Sequence, residues 1–210
     1  LYTIWPDESL REKLAELIDL FLTRIIHPQT HHLVLFFNEQ WARRSTVISY
    51  GHDIEAAWLL QEAAEIIGDE ALIAKVKIRS VLVADAASRG LDGDGGLWYE
   101  YDKQNNHLIA EKHAWPQAEA MVGFYNAWQT TGKTSYLEKS LASWTFIRQY
   151  ILDNEKGEWY WGVMDNNLHM KGQDKVGLWK CPYHNSRACM EIISRVQPQK
   201  RTTNTPVRNP

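Results

Sequence analysis

Histidine and carboxylate recur together at three places, each at the edge of an apolar helical pattern: Gly51-His52-Asp53-Ile54-Glu55, Lys112-His113-Ala114-Trp115-Pro116-Gln117-Ala118-Glu119, and Lys180-Cys181-Pro182-Tyr183-His184-Asn185. Imidazole titrates near neutrality, so it can hold or release a proton at the pH of the cell. A carboxylate three positions along a helix shares the face of its partner, and Glu55 is therefore placed to orient His52 as a base. Trp58, six residues beyond His52, falls along the same wall, while Pro116 suits a first helical turn with Glu119 three residues on. These residues also have plainer uses. A histidine ahead of an apolar helix can be a cap or a satisfied core group, Glu55 and Glu119 can bond backbone donors at helix starts, and Trp58, Trp115 and Trp179 can simply fill a core.

Other motifs carry less. His31 and His32 are adjacent, so their rings diverge and do not favour a shared metal. Asp92-Gly93-Asp94-Gly95-Gly96 has a glycine at a third ligand position and no closing acid, which reads as a turn and not a calcium loop. Cys181 and Cys189 read as buried thiols.

The elements that must position the three clusters form a repeat. HDIEAAWLLQEAAEIIGDEALIAKV, from His52, lies over WPQAEAMVGFYNAWQTTGKTSYLEKS, from Trp115, so that Glu55 meets Glu119 and Gly68 meets Gly132, both 64 residues apart. GLWYE at Gly96 matches GEWYW at Gly157, 61 residues on, and HHLVLFFNE at His31 is a fainter first copy. Residues Ile54 to Ile67 are apolar nearly all round, as a buried inner helix requires. Leu10, Leu14, Leu17, Ile18, Phe21 and Ile25 form a stripe, as do Leu137, Leu141, Trp144, Ile147 and Ile151, so these helices have a wet face and lie outside. Gly68 and Gly132 predict left-handed caps, and Ser135 with Glu138 predicts a capping box.

The expected architecture is all-α: an α/α toroid, with outer helices over 8–26, 70–88 and 134–152, inner helices over 52–67, 115–130 and about 185–196, and short strand-like aromatic loops. Six helices make an open arc, whose apolar ends call for more repeats, supplied by a missing N-terminal half or by self-association. One partial domain over 1–196 is expected, followed by a disordered tail over 197–210.

Composition narrows the function. The 210 residues carry 23 basic and 26 acidic side chains, leaving no basic field for a nucleic acid. No apolar run is long enough for a membrane span, and LYTIWPDESLREK lacks the pattern of a signal peptide. Two cysteines are too few for a disulfide framework or a zinc cage, so a reduced, cytoplasmic setting is expected. Ten tryptophans and nine tyrosines exceed what a core needs and point to a ligand with flat apolar faces, sugar rings among them.

From about Trp41 to Val196 the chain resembles the C-terminal half of the cellobiose 2-epimerases, within the N-acylglucosamine 2-epimerase superfamily. The resemblance is carried in order and in register by YGHDIEAAWLLQEAA, KHAWPQAEAMVGFYNAWQTTG, GEWYWGV and GLWKCPYHNSRACMEII. It implies half of an (α/α)6 barrel and reversible epimerisation at carbon 2 of the reducing-end glucose of β-1,4-linked disaccharides. It further implies His52 and His184 as the acid/base pair, with Glu55, Glu119, Trp58, Trp115 and Trp179 holding the histidines or the sugar. No metal or cofactor is implied, because the opened aldehyde itself acidifies the carbon 2 proton. An arginine and a further histidine used by the family belong to its N-terminal half, and Ala114 stands where an aromatic is expected. Competing readings are an N-acylglucosamine epimerase or monosaccharide isomerase, a toroidal glycoside hydrolase with Glu55 and Glu119 as acid and base, and a non-catalytic sugar-binding or assembly fragment.

Overall fold

The computed structural model describes residues 1–197. All but the first residue of the predicted tail lies outside the described residues. Six α-helices account for the arc: α1 (Glu8–Leu20), α2 (Tyr50–Ile67), α3 (Glu70–Ala87), α4 (Ala114–Thr131), α5 (Thr134–Phe146) and α6 (Tyr183–Val196). Helices α2, α4 and α6 pack side by side as the inner layer, with α1, α3 and α5 outside, so the fold is about half of an (α/α)6 barrel. The inner pair approaches closely because Gly123 has no side chain: a Cβ there would sit 2.5 Å from Cγ1 of Ile54.

Local chemistry sets the helix ends. Gly68 (φ 76°) and Gly132 (φ 70°) adopt the left-handed caps expected of them and donate their N–H groups to the carbonyls of Ala64 and Trp128. One residue then suffices to turn the chain. Asp69 caps α3 by accepting the Leu72 N–H at 2.9 Å. Lys133 occupies the matched place before α5, so Ser135 already lies inside the first turn and the predicted capping box with Glu138 does not form. The expected long outer helices are also modified at their ends, since α1 and α5 each finish in a five-residue π-helical turn, Phe21–Ile25 and Ile147–Ile151.

Each outer helix leads into a loop closed by an antiparallel bridge: Ile26 with Leu33, Leu91 with Leu97, and Leu152 with Trp159. Leu91 and Leu152 are 61 residues apart, but their bridge partners Leu97 and Trp159 are 62 apart. The predicted 61-residue alignment of GLWYE with GEWYW therefore slips by one residue on the returning side of the loop. The strand-like loops are organised into two small sheets. β1 (Val47–Ser49), β2 (Glu100–Asp102) and β3 (His107–Ile109) form an antiparallel meander, and β4 (Lys112–His113) pairs with β5 (Gly162–Val163). Strands β1 and β4 run directly into α2 and α4, so the sheets line the end of the arc where the inner helices begin.

Buried polar groups pin these loops to the helices. His32 Nδ1 lies 2.6 Å from Asp53 Oδ2, and the Leu33 N–H donates to Asp53 Oδ1 at 2.7 Å. In the next repeat Gln117 bonds both the N–H and the carbonyl of Leu97, at 2.7 and 2.8 Å. The Asp92–Gly96 segment is a turn, as expected, and its carboxylates hold the buried Lys112 ammonium at 2.7 and 2.6 Å. Cys181 is exposed and Cys189 half-buried, which corrects the expectation of two buried thiols. The reason is that Cys181 precedes α6 in a loop that no element among the described residues covers.

Candidate active site

Because α2, α4 and α6 are copies of one unit, matched positions at their starts converge. His52, Pro116 and His184 hold one such position, and Glu55, Glu119 and Arg187 hold the next, three residues on in every case. A cleft of about 420 Å³ opens over these helix starts. His52, Glu55, Trp115 and His184 line it from the inner helices, together with Tyr99, His113, Trp159, Trp161 and the Trp179–Cys181 loop.

The two histidines flank one indole, with ring centroids 4.8 Å (His52) and 5.5 Å (His184) from Trp115. Trp115 is held by the close approach of Gly51, where a Cβ would come within 2.6 Å of the indole. Both imidazoles are engaged through Nδ1, His52 with Ser49 Oγ at 2.7 Å and His184 with Glu119 Oε1 at 2.7 Å. Such an arrangement leaves each Nε2 as the nitrogen available for proton transfer. Glu55 makes no bond to His52. Its partner is Arg187, and the orienting group expected beside His52 is a serine from the strand that precedes the helix.

Glu119 is the hub. Only 1% exposed, it accepts from His184 and from Arg187 Nη2 (2.5 Å) through Oε1, and from the Trp58 indole N–H (2.9 Å) through Oε2. Arg187 Nη2 also donates to Glu55 at 2.8 Å, and the guanidinium lies over the rings of Trp58 and Tyr183. Burial alone would make this arginine less basic, but Glu119 and Glu55 together hold it above its ordinary value. Glu55, Glu119 and His184 offer ligand atoms within 4.8 Å of one another, a spacing suited to a cation, and the Arg187 guanidinium supplies the positive charge there.

Of the sequence-predicted site residues, His52, Glu55, Trp115, Trp179 and His184 line the cleft. Trp58 and Glu119 do not: both are buried beneath it. Glu119, 1% exposed, does not reach the cleft, where the acid or base of a glycosidase must meet the sugar. Arg187 escaped the sequence reading, although its spacing from His184 repeats that of Glu55 from His52. His113 was noted in its cluster but not assigned to the site. It stacks on Tyr99 at 4.0 Å and bonds Glu111 at 2.9 Å, and burial keeps its basicity low despite that carboxylate.

An α/α-toroid segment with histidines and carboxylates gathered at the starts of its inner helices places the chain in the class of (α/α)6 barrels. The chain belongs to the N-acylglucosamine 2-epimerase (GlcNAc 2-epimerase) family, whose model matches residues 1–188. It is 43% identical over 193 residues to the cellobiose 2-epimerase of Bacteroides fragilis, covering 92% of this chain and 49% of that protein. The solved sugar epimerase from a ruminal bacterium superimposes with a TM-score of 0.89 at 34% identity, over 94% of this chain and 50% of that one. The cellobiose 2-epimerase of Bacillus thermoamylovorans B4167 gives 0.86 at 38% identity, over 93% and 50%. The chain thus spans about half the length of the relatives it matches. Among the described residues no helix is long and apolar enough to cross a membrane.

Proposed function

We propose that this chain forms the C-terminal half of a sugar 2-epimerase of the cellobiose type. In this reading the substrate is the reducing-end glucose of a β-1,4-linked disaccharide, converted to mannose and back. Removing the carbon 2 proton of the opened aldose gives a planar enediolate, and inversion requires a proton returned to the other face. The observation that carries the reading is the pair of imidazoles flanking Trp115, each engaged through Nδ1 and so free at Nε2. One histidine accepts the proton, and the other, already protonated, delivers one to the opposite face. Trp115 and Trp179 offer apolar faces to the sugar, and Glu119 and Trp58 act from beneath by fixing His184 and Arg187.

Arg187 is committed to two carboxylates and Lys180 to Glu158, so neither is free to meet the enediolate charge. That task falls to the remaining half of a complete barrel. The test is proton nuclear magnetic resonance of cellobiose in deuterium oxide with a full-length protein carrying this segment. Deuterium at carbon 2 together with a glucosyl-mannose product supports the reading. Release of monosaccharide, or an unchanged carbon 2 proton, overturns it.

A further inference from the structure

The third repeat departs from the first at one residue that the chemistry so far leaves unused. Glu158 sits where His32 sits in the first repeat: the Asp153 N–H donates to the Glu158 carbonyl at 3.0 Å, as the His27 N–H donates to that of His32 at 2.9 Å. Both turns carry a left-handed residue one place earlier, His31 (φ 63°) and Gly157 (φ 72°), but the third repeat adds a second at Glu158 (φ 61°), a backbone costly to any residue with a Cβ that His32 does not share. The first turn closes the matching bridge with one left-handed residue, so closure does not require the second at Glu158.

The side chain accounts for it. One oxygen of Glu158 accepts from Lys180 Nζ at 3.0 Å and from Asn185 Nδ2 at 2.8 Å, and both partners line the cleft. Lys180 in turn bonds the Lys175 carbonyl at 2.7 Å, and the Gly177 N–H donates to the Lys180 carbonyl at 2.7 Å. Lys175 is itself held by Asp153 at the base of the same turn. Trp179 is 85% exposed, and these bonds hold Gly177 and Lys180 on either side of it. The equivalent contact in the first repeat, His32 to Asp53, is buried and faces no cleft residue, so the pin between loop and inner helix has been turned toward the site in the third repeat alone.

We propose that Glu158 is a positioning residue for the cleft, setting the Trp179–Cys181 wall and Asn185 against the bound sugar. The inference rests on the epimerase reading for its ligand. Strain kept at a residue that ties two site groups together is the pattern expected of a functional constraint.

The experiment compares Glu158→Gln and Glu158→Gly with the parent in a full-length protein carrying this segment. Glutamine keeps the size and loses the charge; glycine relieves the backbone and loses the pin. Both are expected to raise the KM for cellobiose about tenfold with kcat changed less than about twofold, the loss expected for charge-assisted bonds. Amide hydrogen exchange over 177–182 is expected to quicken in both. Glu158→Gly is expected to hold Tm within about 2 °C, because relief of strain offsets a partly exposed ion pair. A KM at the parent value in both variants overturns the proposal, whether or not the loop exchanges faster. If the parent itself leaves cellobiose untouched, the epimerase reading fails, and unaltered amide exchange in the variants then overturns the positioning role independently.

Discussion

His184 gives its Nδ1 to Glu119 Oε1 at 2.7 Å, across 65 residues of sequence and between two adjacent inner helices. The bond decides which nitrogen faces the cleft. Arg187 Nη2 lies on the same carboxylate oxygen, so Glu119 holds the imidazole and a guanidinium together. His52, with a serine in that role, has a neutral orienter. The two histidines of the proposed pair therefore have different electrostatic surroundings.

Replacing either histidine separates chemistry from folding. His52→Ala and His184→Ala in a full-length protein are expected to lower deuterium incorporation at carbon 2 by at least about 100-fold, the usual share of an acid/base group. Near-normal exchange in either variant removes that residue from the mechanism.

Glu119→Gln leaves a side chain of the same size but no charge for His184 or Arg187. A fall in kcat of about 10- to 100-fold with little change in KM is expected, since Glu119 lies beneath the cleft and not in it. Steady-state kinetics check this, and a change confined to KM would make Glu119 a sugar contact instead.

Gly123→Ala probes the contact between α2 and α4. Its Cβ would meet Ile54 side-chain and backbone atoms at 2.5 to 2.8 Å, so the helices must separate, at a cost of about 1–3 kcal/mol. Calorimetry should show a clear loss of Tm. An unchanged Tm would mean that the inner helices slide apart without penalty.

The pH dependence of stability carries the mark of His113. Burial lowers its pKa in the folded chain, outweighing the opposite pull of Glu111. The unfolded histidine binds its proton near pH 6.5, before the folded one does, so this contribution is complete above that pH and is lost as pH falls toward the folded value. The Tm difference between the parent and His113→Gln is therefore expected to narrow between about pH 7.5 and pH 5. A constant difference would show that His113 has an ordinary pKa.

The 210 residues by themselves are expected to self-associate and to show negligible epimerase activity. Met190, Ile193 and Val196 form an exposed apolar stripe on α6, the last inner helix, and no described residue of the chain covers it. Sedimentation together with the deuterium assay tests both halves of the statement. A stable monomer with ordinary enzymatic turnover would overturn it, and activity restored by an N-terminal half added in trans would support it.

The repeat was legible along the chain because α2 and α4 are each buried nearly all round and each ends at a left-handed glycine. Those demands act on local residue types, which is why Gly68, Gly132 and the matched Glu55 and Glu119 stand out at one spacing. What escaped was set by loop detail. The π-helical turns, the one-residue slip between Leu97 and Trp159, and the Lys133 cap that replaces the expected Ser135 box depend on how a particular loop packs, which periodicity does not encode.

Residue type and spacing put the clusters that hold His52, Glu55, Trp115 and His184 at one end of the arc, and the resemblance to the epimerases implied their roles. Who bonds whom was decided only in three dimensions. The carboxylate expected to serve His52 serves Arg187, and the one that orients His184 comes from the neighbouring helix. Trp58 passed from wall to underlay. The physical reason is that short-range sequence spacing sets the face on which a side chain stands, whereas a buried charge takes whichever partner best offsets its desolvation, and here that partner, Arg187, lies on another helix.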